Sequence, residues 1–221
     1  DNQNLRPGRV RQGLAMDLKM RKDLEAIVEF YRDNAPAEQP PSMGNCIWKP
    51  TIPEMLWDEI VYFDAWHAIE KKPHEGRVLV AGSGDGRRAA YLNILGYHVT
   101  GVELNPELVR RSQALFSELE KIKLVDTSRL TVLDGDFLND DVYKKSGLSF
   151  ADFNKIFAYL IPGNFASLAR KAESLSKPGT EVYCLWRPTD WAQPETSLEL
   201  VKRKQMPEVF PYHDFVRYRK N

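Results

Sequence analysis

Cysteine is scarce in this chain: Cys46 and Cys184 are its two examples. So widely spaced, they form no disulfide framework, CxxC redox pair or zinc pattern, and a reducing, cytoplasmic setting is the expectation. Long apolar runs are missing as well. No stretch approaches the roughly 18 uncharged residues of a membrane-spanning helix. Net charge is also absent, with 31 Lys plus Arg against 31 Asp plus Glu. That balance lacks the basic excess of an obligate nucleic-acid binder. The four histidines, His67, His74, His98 and His213, have no metal-ligand spacing, so no metal is expected. No repeat or low-complexity segment is present. The first residues, DNQNLRPGRVRQG, have no apolar core and read as a loose polar arm, not a secretory signal.

What is present fits a globular chain of 221 residues, 43% hydrophobic and 28% charged. Leu18, Met20, Leu24, Ile27, Val28 and Tyr31 recur at helical spacing, predicting a helix from Met16 to Tyr31. The run NAPAEQPP ends it, and a second helix is predicted over Pro53 to Ile69. The pattern then changes. RVLVA (77–81), HVTGVE (98–103), residues 129–133, residues 155–160 and EVYCLW (181–186) read as strands. Helices are predicted between them at 86–95, 106 to about 123, and 165–175. This alternation predicts a doubly wound α/β fold with a mostly parallel sheet. Two further runs, 198–202 and 215–218, predict an antiparallel C-terminal hairpin at the sheet edge. The expected organisation is an N-terminal arm and helix over 1–45 and a catalytic domain over 46–221, with helices 16–33 and 53–69 shaping the entrance to the site.

The chemistry concentrates at strand ends. The first strand runs into Gly82-Ser83-Gly84-Asp85-Gly86, followed by a helix. A tight turn and close backbone approach by a ligand both favour residues without a Cβ, and the helix start offers free N–H groups. Glu103 ends the second strand, where a carboxylate can accept both hydroxyls of a ribose. Leu104 and Asn105 follow it. Asp136 and Phe137 come after the third strand, suited to an adenine amino group and its ring face. Tyr159 at the end of the fourth strand is the candidate pocket residue beside the reacting centre. The spacing is GxGxG, not the dinucleotide GxGxxG.

The run VLVAGSGDGRRAAYLNILGYHVTGVELNP resembles motifs I and II of class I methyltransferases, in particular a group of small protein-lysine methyltransferases. KIFAYLIPG and LSKPGTEVYCLWRPTDW resemble later motifs of that group, and Lys49-Pro50-Thr51-Ile52-Pro53 resembles its loop that closes over the cofactor. The resemblance implies S-adenosylmethionine as cofactor, with Thr51 among the residues holding it. It also implies a protein or small-molecule methyl acceptor, lysine being the specific expectation, and a monomer free of membrane. Val80 departs from the pattern: most class I methyltransferases carry Asp or Glu there, helping to order the methionine end of the cofactor.

Methyl transfer is an in-line displacement needing proximity and a dry pocket, and a lysine acceptor must first lose its proton. Trp48, Trp186 and Trp191 are candidates to wall a substrate channel. Nucleic acid is disfavoured as acceptor, because Tyr159-Leu160-Ile161-Pro162 is not the Asn/Asp-Pro-Pro-aromatic run of amino-methylating DNA enzymes. Cys184 sits inside a strand, where a small buried hydrophobe is expected instead of a nucleophile. A polyamine aminopropyltransferase is one alternative, though Ala158-Tyr159-Leu160-Ile161 lacks the carboxylate it needs. A catalytically silent cofactor-binding scaffold is another, kept open by Val80.

Overall fold

The computed structural model describes residues 18–34, 76–160, 162–186, 196–205 and 214–221. The predicted helix over 53–69, Thr51, Trp48 and Trp191 lie outside these residues. No helix among the described residues is long and apolar enough to cross a membrane.

Among the described residues, helix α1 (Leu18–Asp33) is followed by β1 (Arg77–Ala81), α2 (Arg87–Ile94), β2 (His98–Glu103), α3 (Pro106–Lys121) and β3 (Leu130–Asp134). Then come α4 (Asp140–Lys144), β4 (Lys155–Ala158), α5 (Pro162–Leu175), β5 (Glu181–Trp186), β6 (Glu199–Gln205) and β7 (Asp214–Arg219). The strands form a seven-stranded sheet in the order β3-β2-β1-β4-β5-β7-β6. β1 to β5 run parallel, and β7 pairs antiparallel with both β5 and β6. This is the mostly parallel sheet with an antiparallel C-terminal hairpin that the alternation implied. The hairpin folds back so that its second strand is the one beside β5.

Side chains alternate across a strand, so the sheet feeds two cores. Val78, Val80, Val99, Val132, Phe157 and Tyr183 join one cluster with α1, α2 and α3. Leu79, Ala81, Val102, Ile156, Ala158 and Cys184 join the other with α4 and α5. β1 is buried on both faces, as a central parallel strand must be. The buried stripe of α1, Leu24, Ile27, Val28 and Tyr31, has the i, i+3, i+4, i+7 spacing of one helix face. This helix therefore shares the core of the sheet.

Several boundaries differ from the periodicity by one to three residues. α5 begins at Pro162 instead of residue 165, because the fixed φ of proline suits a first helical turn. α3 stops at Lys121: Lys123 takes a left-handed φ of 60°, and the Leu124 N–H donates to the Leu119 carbonyl at 2.9 Å. β4 ends at Ala158, one residue before Tyr159. The short helix α4 was not foreseen. Asn139 caps it, its side chain accepting from the Asp141 N–H.

Candidate functional site

The strand order reverses between β1 and β4, and ligands of open α/β sheets bind outside the carboxyl ends of strands at such a point. The carboxyl ends of β3, β2, β1 and β4 carry, respectively, Asp136-Phe137, Glu103-Leu104-Asn105, the glycine loop and Tyr159. All of these candidates come to one rim.

The glycine loop is held by its neighbours. Gly82 and Ser83 donate their N–H groups to the Val102 carbonyl at 2.9 and 3.1 Å. Gly84 donates to Glu103 Oε2 at 2.8 Å, and the other oxygen, Oε1, accepts from the Asn105 N–H at 2.9 Å. The Glu103 carbonyl accepts from the Gly135 N–H at 3.0 Å. One residue thus ties the glycine loop through its carboxylate and the Asp136 turn through its backbone. Asn105 caps α3, its side chain accepting from the Glu107 N–H at 2.9 Å, and Pro106 supplies the first turn. Leu104 beside it is an exposed large hydrophobe.

Asp85 is placed otherwise than a ligand-facing carboxylate. Its oxygens accept from Arg87 Nε at 2.8 Å and Nη2 at 2.5 Å, and both residues are buried. The Arg87 guanidinium lies 5.3 Å from the ring centroid of Tyr31 on α1. Burial, and then the charge of Asp85, push the Tyr31 hydroxyl well above its ordinary range. Val80 lies in the core shared with α1 and α2. Ser83 Oγ is buried without a hydrogen-bond partner among the described residues. Ser112 Oγ donates to the Gly84 carbonyl at 2.9 Å from α3. Sequence reasoning missed Ser112, although a signal exists: it is the polar member of the buried stripe Leu108, Ser112, Leu115 and Leu119.

Tyr159 is half-buried, and the Arg88 guanidinium lies 4.9 Å from its ring centroid. Asp136 is exposed, its Oδ1 accepting from the Leu138 N–H at 2.8 Å, an Asx-type turn. Phe137 packs against the core beneath α4 and α5. Among the described residues no group of His, Cys, Asp and Glu is placed to hold a metal ion.

Gly86 is the loop position with least tolerance. Its φ of 83° is left-handed, and an added Cβ would sit 2.6 Å from two ring atoms of Phe116. We expect Gly86→Ala to lose about 2–3 kcal/mol of stability, from left-handed strain plus overpacking. The measurement is a urea transition: the midpoint should fall with its slope unchanged. An unchanged midpoint would show that the loop is not held as described.

No family model matches the chain. A protein-L-isoaspartate O-methyltransferase of Chlorobium limicola is 36% identical over 97 residues, covering 44% of this chain and 40% of that protein. A probable thiol methyltransferase of Arabidopsis thaliana is 32% identical over 115 residues, covering 52% of this chain and 48% of that protein. The match thus spans less than half the length of either curated relative. Among solved structures, a magnesium protoporphyrin IX methyltransferase from Synechocystis PCC 6803 with bound SAM has a TM-score of 0.58. That comparison is 12% identical and covers 94% of this chain and 99% of the other.

Proposed function

We propose that this chain, whose α/β fold is methyltransferase-like, is an S-adenosylmethionine-dependent methyltransferase that holds its cofactor across the carboxyl ends of β1 to β4. The observation that carries this is the state of Glu103. A carboxylate offers about four acceptor positions. Here each oxygen accepts one backbone N–H, which leaves an acceptor position on each for the vicinal hydroxyls of a ribose. Gly82 at φ 67° keeps the loop backbone bare, and a Cβ there would meet Leu160 Cδ2 at 2.8 Å. The donor set therefore fits an adenosine-bearing cofactor, with Glu103 on the ribose, Asp136 on the adenine amino group, and Leu104 and Phe137 on its ring faces. The N–H groups at the start of α2 meet the demands of the remaining polar end.

When bound, the cofactor supplies an electrophilic methyl group on a sulfonium. The chain's part is positioning and exclusion of water. Tyr159 beyond β4 lines the acceptor side, where an amine must be neutral to act as the nucleophile. A protein side chain, lysine as the specific case, is the acceptor we propose. The relatives named for isoaspartate and thiol acceptors define the carboxylate and thiolate alternatives to be tested beside it.

The first test is calorimetry with S-adenosylhomocysteine, followed by transfer of radiolabelled methyl from S-adenosylmethionine into a fractionated lysate. We expect binding in the micromolar range and label in the protein fraction. No binding at concentrations well above micromolar would sink the reading. Binding without transfer to any fraction would favour the cofactor-binding scaffold, for which the burial of Val80 at the position of the usual acid is the relevant observation.

A further inference from the structure

The turn that carries Asp136 and Phe137 is gripped from behind by two side chains that no sequence motif marks. Tyr143 on α4 is fully buried, and its hydroxyl donates to the Phe137 carbonyl at 2.6 Å. Lys171 on α5 reaches back 33 positions, and its Nζ donates to the next carbonyl, that of Leu138, at 2.7 Å. The same ammonium meets Asp140 Oδ1 at 2.6 Å. It lies 5.2 Å from the Tyr143 ring centroid and 5.0 Å from that of Phe150. Its side chain is only 8% exposed.

We propose that Lys171 and Tyr143 are positioning residues that set the aim of Asp136 and Phe137 toward the base of the cofactor. The proposal deepens the cofactor reading above and rests on it. A lysine gives up hydration to be buried, and this one regains it through a carbonyl, a carboxylate and two aromatic faces. The result is specific. Consecutive carbonyls, of Phe137 and Leu138, are both held by donors from packed helices, so the peptide planes between them cannot rotate. The Phe137–Leu138 peptide, whose carbonyl Tyr143 holds, is one of the two planes flanking the Phe137 Cα, and its N–H is the one that Asp136 Oδ1 accepts. The Asp136 side chain is constrained from the other side, because its Oδ1 accepts from the Leu138 N–H. Oδ2 is then left as the oxygen to meet a base amino group.

The packing leaves little slack. Gly135 at φ 143° lies so close to α4 that an added Cβ would stand 2.5 Å from Val142 Cγ2. The Tyr143 ring is wedged edge-on between Phe150 and Phe153, each 5.8 Å away between centroids. The turn thus rests on α4, with Lys171 closing its open side. Because Lys171 and Tyr143 act through backbone carbonyls, neither has to touch the cofactor.

The test measures base discrimination on the full chain. S-adenosylhomocysteine and S-inosylhomocysteine, in which hypoxanthine replaces adenine, are titrated by calorimetry into the wild type, Tyr143→Phe, Lys171→Met and Lys171→Arg. The wild type should prefer adenine, whose amino group pairs with Asp136. Tyr143→Phe and Lys171→Met should each weaken adenine binding about tenfold, the scale of one lost polar contact. They should leave hypoxanthine binding almost unchanged, so that the preference collapses. Lys171→Arg, which keeps a cation and donors, should restore most of it. A structural weakening would lower both affinities in the same proportion, and that result, or no change in either, overturns the proposal while the cofactor reading stands. A wild type that binds neither ligand overturns both. Tyr143→Phe removes one oxygen and keeps the ring packing, so it guards against misfolding in the lysine variants.

Discussion

Glu103→Ala should lose at least 100-fold in affinity for S-adenosylhomocysteine, the largest binding effect expected of any single change at the site. The side chain has two duties. In the protein itself it accepts the N–H groups of Gly84 and Asn105 at 2.8 and 2.9 Å. On the proposed reading it also accepts the ribose hydroxyls. Hydrogen bonds to a charged acceptor are each worth about 1.5–3 kcal/mol, so losing the equivalent of two gives a factor of 100 or more. Glu103→Gln separates the duties. It keeps the shape and one acceptor oxygen, but turns an NH2 toward one of the backbone donors. It should therefore also lose affinity, by about 1.5–3 kcal/mol for one charge-assisted contact. Calorimetry measures both variants, and far-ultraviolet circular dichroism checks that the sheet is intact. Wild-type affinity in Glu103→Ala would remove the observation on which the proposed function rests.

The reason Glu103 could be picked out beforehand is that its signal is local. It closes the strand HVTGVE and precedes Asn105-Pro106, a helix start with its own cap. Strand, cap and proline fix its place at a strand end without any tertiary knowledge. The glycine loop is legible for the same reason, since each glycine there has a positive φ that other residues resist. What lay hidden is non-local. Asp85 belongs to the motif by spacing, yet its carboxylate is taken by Arg87, and that pair is completed by Tyr31 on α1. Only the packing of α1 onto the sheet shows this. The grip of Lys171 on Leu138 and Asp140 joins α5 to the turn and start of α4, a helix too short for periodicity to reveal. The hairpin was readable as a pair of alternating runs, but nothing local to either run says that β7 is the strand that docks on β5.

At the opposite ends of the same strands, Lys155→Met should cost about 3–5 kcal/mol of stability at neutral pH, the scale of breaking a buried ion pair on one side. Lys155 opens β4 and Glu181 opens β5, and both are buried. The Lys155 ammonium bonds Glu181 Oε2, Tyr183 donates to that oxygen at 2.8 Å, and Arg217 lies 3.4 Å from Oε1. Burial by itself would raise the Glu181 carboxyl. Lys155, Tyr183 and Arg217 outweigh it and hold the group down at about 2. A carboxyl whose folded value lies below its unfolded value of about 4.5 stabilises the protein above pH 4.5. That contribution fades as pH falls from about 4.5 toward 2. In Lys155→Met the burial effect has less to oppose it, so the carboxyl rises and the contribution shrinks. The gap between wild type and variant should therefore be widest at pH 7 and should narrow as the solution is taken to pH 3. Urea transitions at several pH values measure it, and a gap that stays constant with pH would refute the role assigned to this pair. Adding Glu181→Gln to Lys155→Met closes a double-mutant cycle that measures the coupling of the two groups, with Arg217 and Arg219, 3.4 and 3.5 Å from Oε1, as the cations that remain beside position 181. Because the cluster lies at the amino ends of β4 and β5 and the proposed site lies beyond the carboxyl ends, molecules of the variant that remain folded should bind S-adenosylhomocysteine as the wild type does.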